Sequence, residues 1–117
     1  MADVLKMLVS TAANRAPSAT TNTTIYTVPA STTAMVSRIM VCNRGGTATT
    51  FRIAIIEAAY GSATPAAQHY IAYDVPIEAN DTVDFPVGSG LATGDLIVIY
   101  AGNANLTFTP MGLEVTP

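Results

Sequence analysis

The sequence has few charged residues, a single cysteine and no tryptophan. Charged side chains make up 11% of its 117 residues, against about 25% in an average soluble domain. The lone Cys42 cannot form an intrachain disulfide, and one cysteine with one histidine excludes an ordinary structural zinc site. No apolar run approaches the roughly 18 residues that a membrane-spanning helix needs. We therefore expect a protein without a membrane partner and with a surface poor in charge.

Basic residues are scarce and unevenly placed. All five Lys and Arg side chains lie in residues 1–52, whereas seven of the eight acidic side chains lie in residues 53–117. The net charge of −3 and the lack of a basic cluster argue against a nucleic-acid partner. The uneven distribution has two interpretations: chance, or a polarised surface suited to contacts between subunits.

Short apolar and β-branched segments, separated by turn residues, run through the chain from residue 23. This spacing predicts an all-β fold, a single antiparallel β-sandwich (jelly-roll-like) of about eight short strands. The predicted strands include 23–29, 34–44, 50–58, 69–77, 82–88, 96–102 and 106–115. We assign residues 23–117 to the sandwich.

Residues 1–22 are interpreted as an extended N-terminal arm and linker. Residues 10–22 are small and polar and are interrupted by Pro17, which is a linker composition. Residues 1–9 are apolar enough to pair as a strand or to pack against another surface. We expect this arm to become ordered against a neighbouring subunit.

Two of the predicted strands, 34–43 and 96–101, are apolar at both alternating sets of positions. A sandwich of this length has no second layer to cover the outer faces of its sheets, so we expect another subunit to cover them. The candidate interface residues are Val4, Leu5, Met7, Leu8, Val9, Met35, Ile39, Val41, Ile97 and Ile99. The sequence therefore predicts a homo-oligomer.

No group of residues predicts catalysis or metal binding. His69 is the only histidine, and no serine stands in the turn that a hydrolase nucleophile occupies. The acids Glu78, Asp81 and Asp84 could gather around one turn and hold a cation, but their spacing is not that of an EF-hand. They are interpreted as residues of a solvated turn. We predict no catalytic residue, no cofactor and no metal ligand.

Several segments stand together in a characteristic order between residues 23 and 101. They are TTIYTVPAS (23–31), SRIMVCNRGGTATTFRIAI (37–55), HYIAYDVPIEANDT (69–82) and GDLIVIYA (94–101). The ordered set resembles a family of small virion proteins of tailed bacteriophages. The resemblance implies a β-sandwich that assembles in virions, without catalytic residues. It also suggests a charge-assisted pair between Arg52 and Asp74.

The expected function is therefore that of a phage virion structural protein, made in the host cytoplasm and incorporated into the virion. A capsid decoration (cement) protein is the first expectation, with itself (a trimer favoured) and the major capsid protein as partners. A tail, baseplate or adaptor subunit that contacts tail proteins is the alternative. A glycan-binding or receptor-binding module that uses Tyr60, Tyr70 and Tyr73 is an alternative of another class, and a small enzyme that uses His69 is a fourth.

Overall fold

The computed structural model describes residues 2–117, which form two four-stranded antiparallel sheets packed face to face. The strands are β1 (Ala2–Met7), β2 (Thr23–Thr27), β3 (Thr33–Asn43), β4 (Thr49–Ile56), β5 (Tyr70–Ile77), β6 (Thr82–Leu91), β7 (Leu96–Ala101) and β8 (Leu106–Thr116). Single 3-10 turns form at Ala12–Arg15, Ala58–Tyr60 and Ala67–His69. The predicted all-β sandwich is confirmed.

The strands follow the order of a jelly roll. Sheet A has the order β1-β8-β3-β6, and sheet B has the order β2-β7-β4-β5. Only the connection from β4 to β5 stays within one sheet, and every other connection crosses to the opposite sheet. This winding gives four sheet edges, at β1 and β6 in sheet A and at β2 and β5 in sheet B.

The inward faces of the two sheets form one apolar core. Phe51 on sheet B meets Phe85 and Phe108 of sheet A edge to face, with ring centroids 6.4 and 6.2 Å apart. Branched side chains from the central strands fill the space around these rings, and they include Ile39, Val41, Ile97 and Ile99. Alternation of inward apolar and outward residues is the pattern that such two-layer packing requires.

The N-terminal segment is part of the sandwich, which corrects its interpretation as an arm. Every residue of β1 pairs with β8 in one continuous register, from Ala2 opposite Thr116 to Met7 opposite Met111. Leu8 follows and is fully buried in the core. The physical reason is that β8 offers an unoccupied edge within the same chain. The boundary at residues 22/23 therefore does not separate two units.

Residues 10–15 are held against the sandwich as well. The amide of Ser10 donates to the carbonyl of Ile25 at 2.9 Å, and Asn14 Nδ2 donates to the carbonyl of Thr24 at 2.8 Å. Arg15 donates to the carbonyl of Phe108 at 3.2 Å and to Thr109 Oγ1 at 2.6 Å. The segment predicted to be a linker thus follows the edge of β2.

A β-bulge explains why β3 is apolar at both sets of alternating positions. The register of β3 with both neighbouring strands shifts between Val36 and Arg38. Ala34 and Val36 face the core before the shift, and Ile39 and Val41 face it afterwards. One extra residue in a strand reverses which alternate positions face inward. The apolar residues of β3 therefore serve mainly the chain's own core.

Part of the outer face of sheet B is covered by the chain itself. Ala54, Ile56 and Val98 form a second buried cluster on that face, against which Tyr70 and Leu96 pack. Residues 57–70, which contain two of the 3-10 turns, connect β4 to β5 across this side of the sheet. The expectation that only another subunit could cover the outer faces is therefore wrong for this part of sheet B.

Candidate functional site

The outer face of sheet A carries an uncovered set of apolar side chains. We call it the methionine face and define it by Leu5, Met7, Met35, Met40, Met111 and Leu113. It includes four of the five methionines of the chain. Methionine is flexible and polarisable, and it is frequent at surfaces that bind other proteins.

The strand register arranges these residues in rows across the sheet. Leu5 of β1 lies opposite Leu113 of β8, which lies opposite Met35 of β3. In the next row Met7 lies opposite Met111. The first row is well exposed, since Leu5 has 83% and Met35 has 46% of its surface accessible.

A groove and an ion pair lie within the methionine face, where Arg38 of β3 is opposite Met111 of β8. The groove has a volume of about 490 Å³ and is lined by Leu5, Lys6, Ser37, Arg38, Met111 and Gly112. Arg38 Nη1 lies 3.0 Å from Asp84 Oδ2 at the side of β6. Methionine and arginine are both enriched at protein contact surfaces.

The candidate interface residues divide into two groups. Val4, Leu5, Met7 and Met35 are exposed, and Val9 is partly buried against the core. Leu8, Ile39, Val41, Ile97 and Ile99 are fully buried in the chain's own core, so their assignment to an intersubunit surface is corrected. The positions predicted from the alternation in β3 and β7 were wrong because a bulge and the segment 57–70 account for the apolar residues there.

Three residues of the methionine face were missed in the sequence: Met40, Met111 and Leu113. The bulge in β3 turns Met40 outward. The alternation of residue types in β3 does not reveal this orientation. The number of methionines, five in a chain with three phenylalanines, was an available signal.

Arg52 and Asp74 form an ion pair on the opposite face of the sandwich. Arg52 Nε donates to Asp74 Oδ1 at 2.7 Å, and Nη2 donates to Oδ2 at 3.4 Å. The guanidinium lies between two aromatic rings, 4.1 Å from the centroid of Tyr73 and 4.4 Å from that of Tyr100. The hydrogen bond to Asp74 is the main cause that raises the pKa of Arg52, and the arginine remains charged at every ordinary pH.

Further tyrosines extend this group into an aromatic cluster. Tyr70 meets Tyr73 edge to face, with ring centroids 4.9 Å apart. A cavity of about 460 Å³ is lined by Ala67, Tyr70 and Tyr73. Tyr73 and Asp74 project together because β5 is irregular there, with Asp74 in the left-handed region at φ 52°. Tyr60, which was grouped with Tyr70 and Tyr73 in the sequence, instead contacts His69 at 4.4 Å between centroids.

His69 belongs to the segment 57–70 that covers part of sheet B, and its side chain is buried. Its Nδ1 accepts a hydrogen bond from the amide of Ala66 at 2.9 Å. Its Nε2 lies 3.4 Å from Glu57 Oε2 without a hydrogen bond of good geometry. The hydrogen bond to Ala66 closes the turn at 66–69.

A polar contact joins the two sheets at the end near β1. The hydroxyl of Tyr26 in sheet B donates to Glu114 Oε2 on β8, and Lys6 Nζ of β1 lies 3.3 Å from Glu114 Oε1. Burial of the phenol raises its pKa, and the hydrogen bond to the carboxylate raises it further. The three residues thus connect β2, β8 and β1.

Within residues 2–117, no three histidine, cysteine or acidic side chains gather as a metal-binding group. The same part of the chain contains no helix long and apolar enough to cross a membrane. In comparisons with known proteins, no family model matches the chain, and no curated protein or solved structure matches it.

Proposed function

We propose that this protein is a non-enzymatic structural subunit of a phage virion, and that it acts as a capsid decoration protein. The observation that carries the proposal is the methionine face. Residues 57–70 of the same chain cover Ala54, Ile56 and Val98 on sheet B, whereas the outer face of sheet A presents Leu5 and Met35 to solvent. A chain that covers part of one sheet and leaves the other apolar is suited to assembly.

The fold and the resemblance to phage virion proteins support the same proposal from different directions. Jelly rolls of eight strands occur in viral capsid proteins and also in lectins, so the fold alone does not select a function. The resemblance of residues 23–101 to phage virion proteins favours a virion protein over a lectin, and a decoration protein is our first choice among the virion roles. The partners are then further copies of this chain, with a trimer as the favoured oligomer, and the major capsid protein.

The mechanism would be the burial of apolar surface at contacts between subunits. Each buried methionine or leucine side chain stabilises a contact by about 1.5–3 kcal/mol. A single contact of this size is weak, but the symmetry of a shell repeats it many times. The summed contacts would oppose the outward pressure of packaged DNA.

Quantitative mass spectrometry of purified phage particles tests this proposal. A decoration protein is expected at hundreds of copies per particle, in a fixed ratio to the major capsid protein. A few copies per particle would instead support a tail, baseplate or adaptor subunit that contacts tail proteins. Absence of this protein from intact purified particles would overturn both virion roles.

The aromatic cluster favours one further candidate function, that of a glycan-binding or receptor-binding module. Tyr73 is 57% exposed beside the polar groups of Arg52 and Asp74, and sugars bind to aromatic rings flanked by such groups. Glycan-array binding that is lost in Tyr73→Ala and kept in Met35→Lys would support this role. An array without any bound glycan would remove it.

A further inference from the structure

The four edges of the two sheets differ in how well they are protected against pairing with another strand. An exposed edge strand offers free backbone amides and carbonyls to any strand that approaches, and proteins block such edges with proline, bulges or covering segments. Each edge of this sandwich can therefore be judged by these features.

Three of the edges are blocked. The edge at β6 contains Pro86 and also Gly88, which has a positive φ of 64°. The edge at β5 contains Pro76, the left-handed Asp74 and two register shifts. The edge at β2 contains a register shift and is covered by residues 10–14, whose Ser10 bonds to the backbone of Ile25 and Thr27.

In the part of the chain that the structure describes, the edge at β1 has no proline, bulge or covering segment. Charged side chains also discourage edge pairing, and β1 carries two, Asp3 and Lys6, of which Lys6 is paired with Glu114 of the same chain. Its sequence, ADVLKM, contains no proline and no glycine. All six residues pair with β8 without a register shift, so the strand is regular. Within residues 2–117 only β8 pairs with it, and its other edge is open.

The apolar row of the methionine face runs to this open edge. Met35, Leu113 and Leu5 lie opposite one another across three strands, and the row ends at Leu5, which is 83% exposed. A strand added beside β1 would continue the sheet and cover Leu5 from the side.

We propose that the β1 edge binds the β1 edge of a second copy of this chain, antiparallel and about a twofold axis at Leu5. Leu5 then lies opposite Leu5 of the other copy, and the two apolar rows join into one. This contact makes the oligomer in solution a dimer in place of the trimer favoured above, and it rests on the proposed role in assembly.

The charges on β1 favour an antiparallel pair of identical strands. Parallel pairing in register would place Asp3 beside Asp3 and Lys6 beside Lys6, and like charges directly opposite destabilise a sheet. Antiparallel pairing centred on Leu5 places Asp3 opposite Met7 and Lys6 opposite Val4. A second copy can thus pair with the first without like charges opposite each other, and a twofold contact of this kind closes on itself.

Two matched substitutions separate edge pairing from stacking of the two faces. Leu5→Lys places two like charges opposite each other at the twofold axis, whereas Met35→Lys puts the same charge on the same face two strands away. Both side chains are exposed, so neither substitution removes a core contact. Circular dichroism of each variant verifies that the sandwich is folded.

The measurement is the mass in solution by size-exclusion chromatography with light scattering. We expect the wild type and Met35→Lys at twice the 12.1 kDa of the chain, and Leu5→Lys at 12.1 kDa. The dimer dissociation constant of Leu5→Lys should rise about a hundredfold or more. A monomeric wild type, a dimer that persists in Leu5→Lys, or a dimer lost in Met35→Lys would each overturn the proposal.

Cross-linking detects the proposed pairing of two β1 edges directly, without a substitution that weakens it. In a Cys42→Ala background, Leu5→Cys should give a covalent dimer with a short bismaleimide, and Thr82→Cys on the blocked β6 edge should not. Equal cross-linking of both variants would overturn edge pairing. If the wild type is monomeric in solution but is found on particles, the inference about the β1 edge fails and the virion role stands. If the wild type forms the dimer but is absent from particles, the virion role fails and the inference about the β1 edge stands.

Discussion

Tyr26 is the residue whose polar contact most directly links sheet B to sheet A. Its hydroxyl is buried and donates to Glu114, which also accepts from Lys6. Replacing it with phenylalanine keeps the ring and removes the hydroxyl donor. Glu114 Oε2 then loses its hydrogen bond from Tyr26. We expect Tyr26→Phe to lower the free energy of unfolding by about 1–2 kcal/mol at pH 7, as measured by urea denaturation.

The same substitution has a pH dependence of known sign. The pKa of Tyr26 is raised in the folded protein, whereas tyrosine in an unfolded chain titrates near pH 10. The folded state then binds more protons than the unfolded state above about pH 10, so the wild type loses stability there as pH rises. The difference between wild type and Tyr26→Phe should narrow above pH 10. A difference that stays constant would show that the phenol keeps its ordinary pKa.

Arg52 and Asp74 show how far the sequence predicts contacts between residues. The resemblance to phage proteins suggested the pair, and the structure places its atoms at 2.7 Å. The position of the guanidinium between Tyr73 and Tyr100 was not foreseen. That contact depends on the register of β4 with β7 and on the irregular backbone of β5, which alternation of residue types does not encode.

Among the structural elements, β3 and its bulge determine which residues become core. Its two apolar sets suggested a strand covered on both sides, but the register shift after Val36 turns both of its halves inward. A bulge leaves little trace in residue composition, because it depends on pairing with two distant strands. The strand itself was predicted to within a residue or two at each end.

Gly112 of β8 is packed closely against this part of β3. A Cβ at this position would overlap the backbone carbonyl of Met35, whereas a Cβ at Gly90, opposite Met35 on β6, meets open space. We expect Gly112→Ala to lower the free energy of unfolding by about 1–3 kcal/mol, and Gly90→Ala to change it by less than about 0.5 kcal/mol. Thermal unfolding of the two variants checks this, and equal midpoints would show that β8 can move away from the bulge.

Residues 59–68 lie between the predicted strands 50–58 and 69–77, and the covering role of the segment 57–70 was not predicted. Its two 3-10 turns and buried His69 lie over the outer side of sheet B, where Ala54, Ile56 and Val98 are buried. Small residues such as the alanines of this segment fit a surface loop equally well. The sequence therefore could not distinguish cover by the chain itself from cover by another subunit.

At the scale of the whole molecule, the basic side chains of residues 1–52 find their ionic or hydrogen-bonding partners within the same chain. Lys6, Arg38 and Arg52 each pair with an acid from the second part of the chain. Arg15 and Arg44 bond to groups of residues 104–109 instead. The distribution therefore reflects strand pairing, and it adds little support to the interpretation of a polarised contact surface.

The low charge content indicates less hidden surface than the sequence suggested. It was interpreted as surface hidden on both sheets, whereas the chain itself covers Ala54, Ile56 and Val98 of sheet B and leaves Leu5, Met7 and Met35 of sheet A exposed. Fold class and strand positions could be predicted because alternation and turn residues are local signals. The interface could not, because it depends on a bulge, an edge and a covering segment that only the folded chain brings together.

Hydroxyl-radical labelling of the protein, free and on purified particles, tests the central claim most directly. We expect Met7, Met35, Met40 and Met111 to be oxidised more slowly on the particle than in the free protein, because another subunit covers the methionine face. Tyr73, exposed on the opposite face, should be labelled equally in both. Equal oxidation of the four methionines in both states, or protection of Tyr73 alone, would contradict the account.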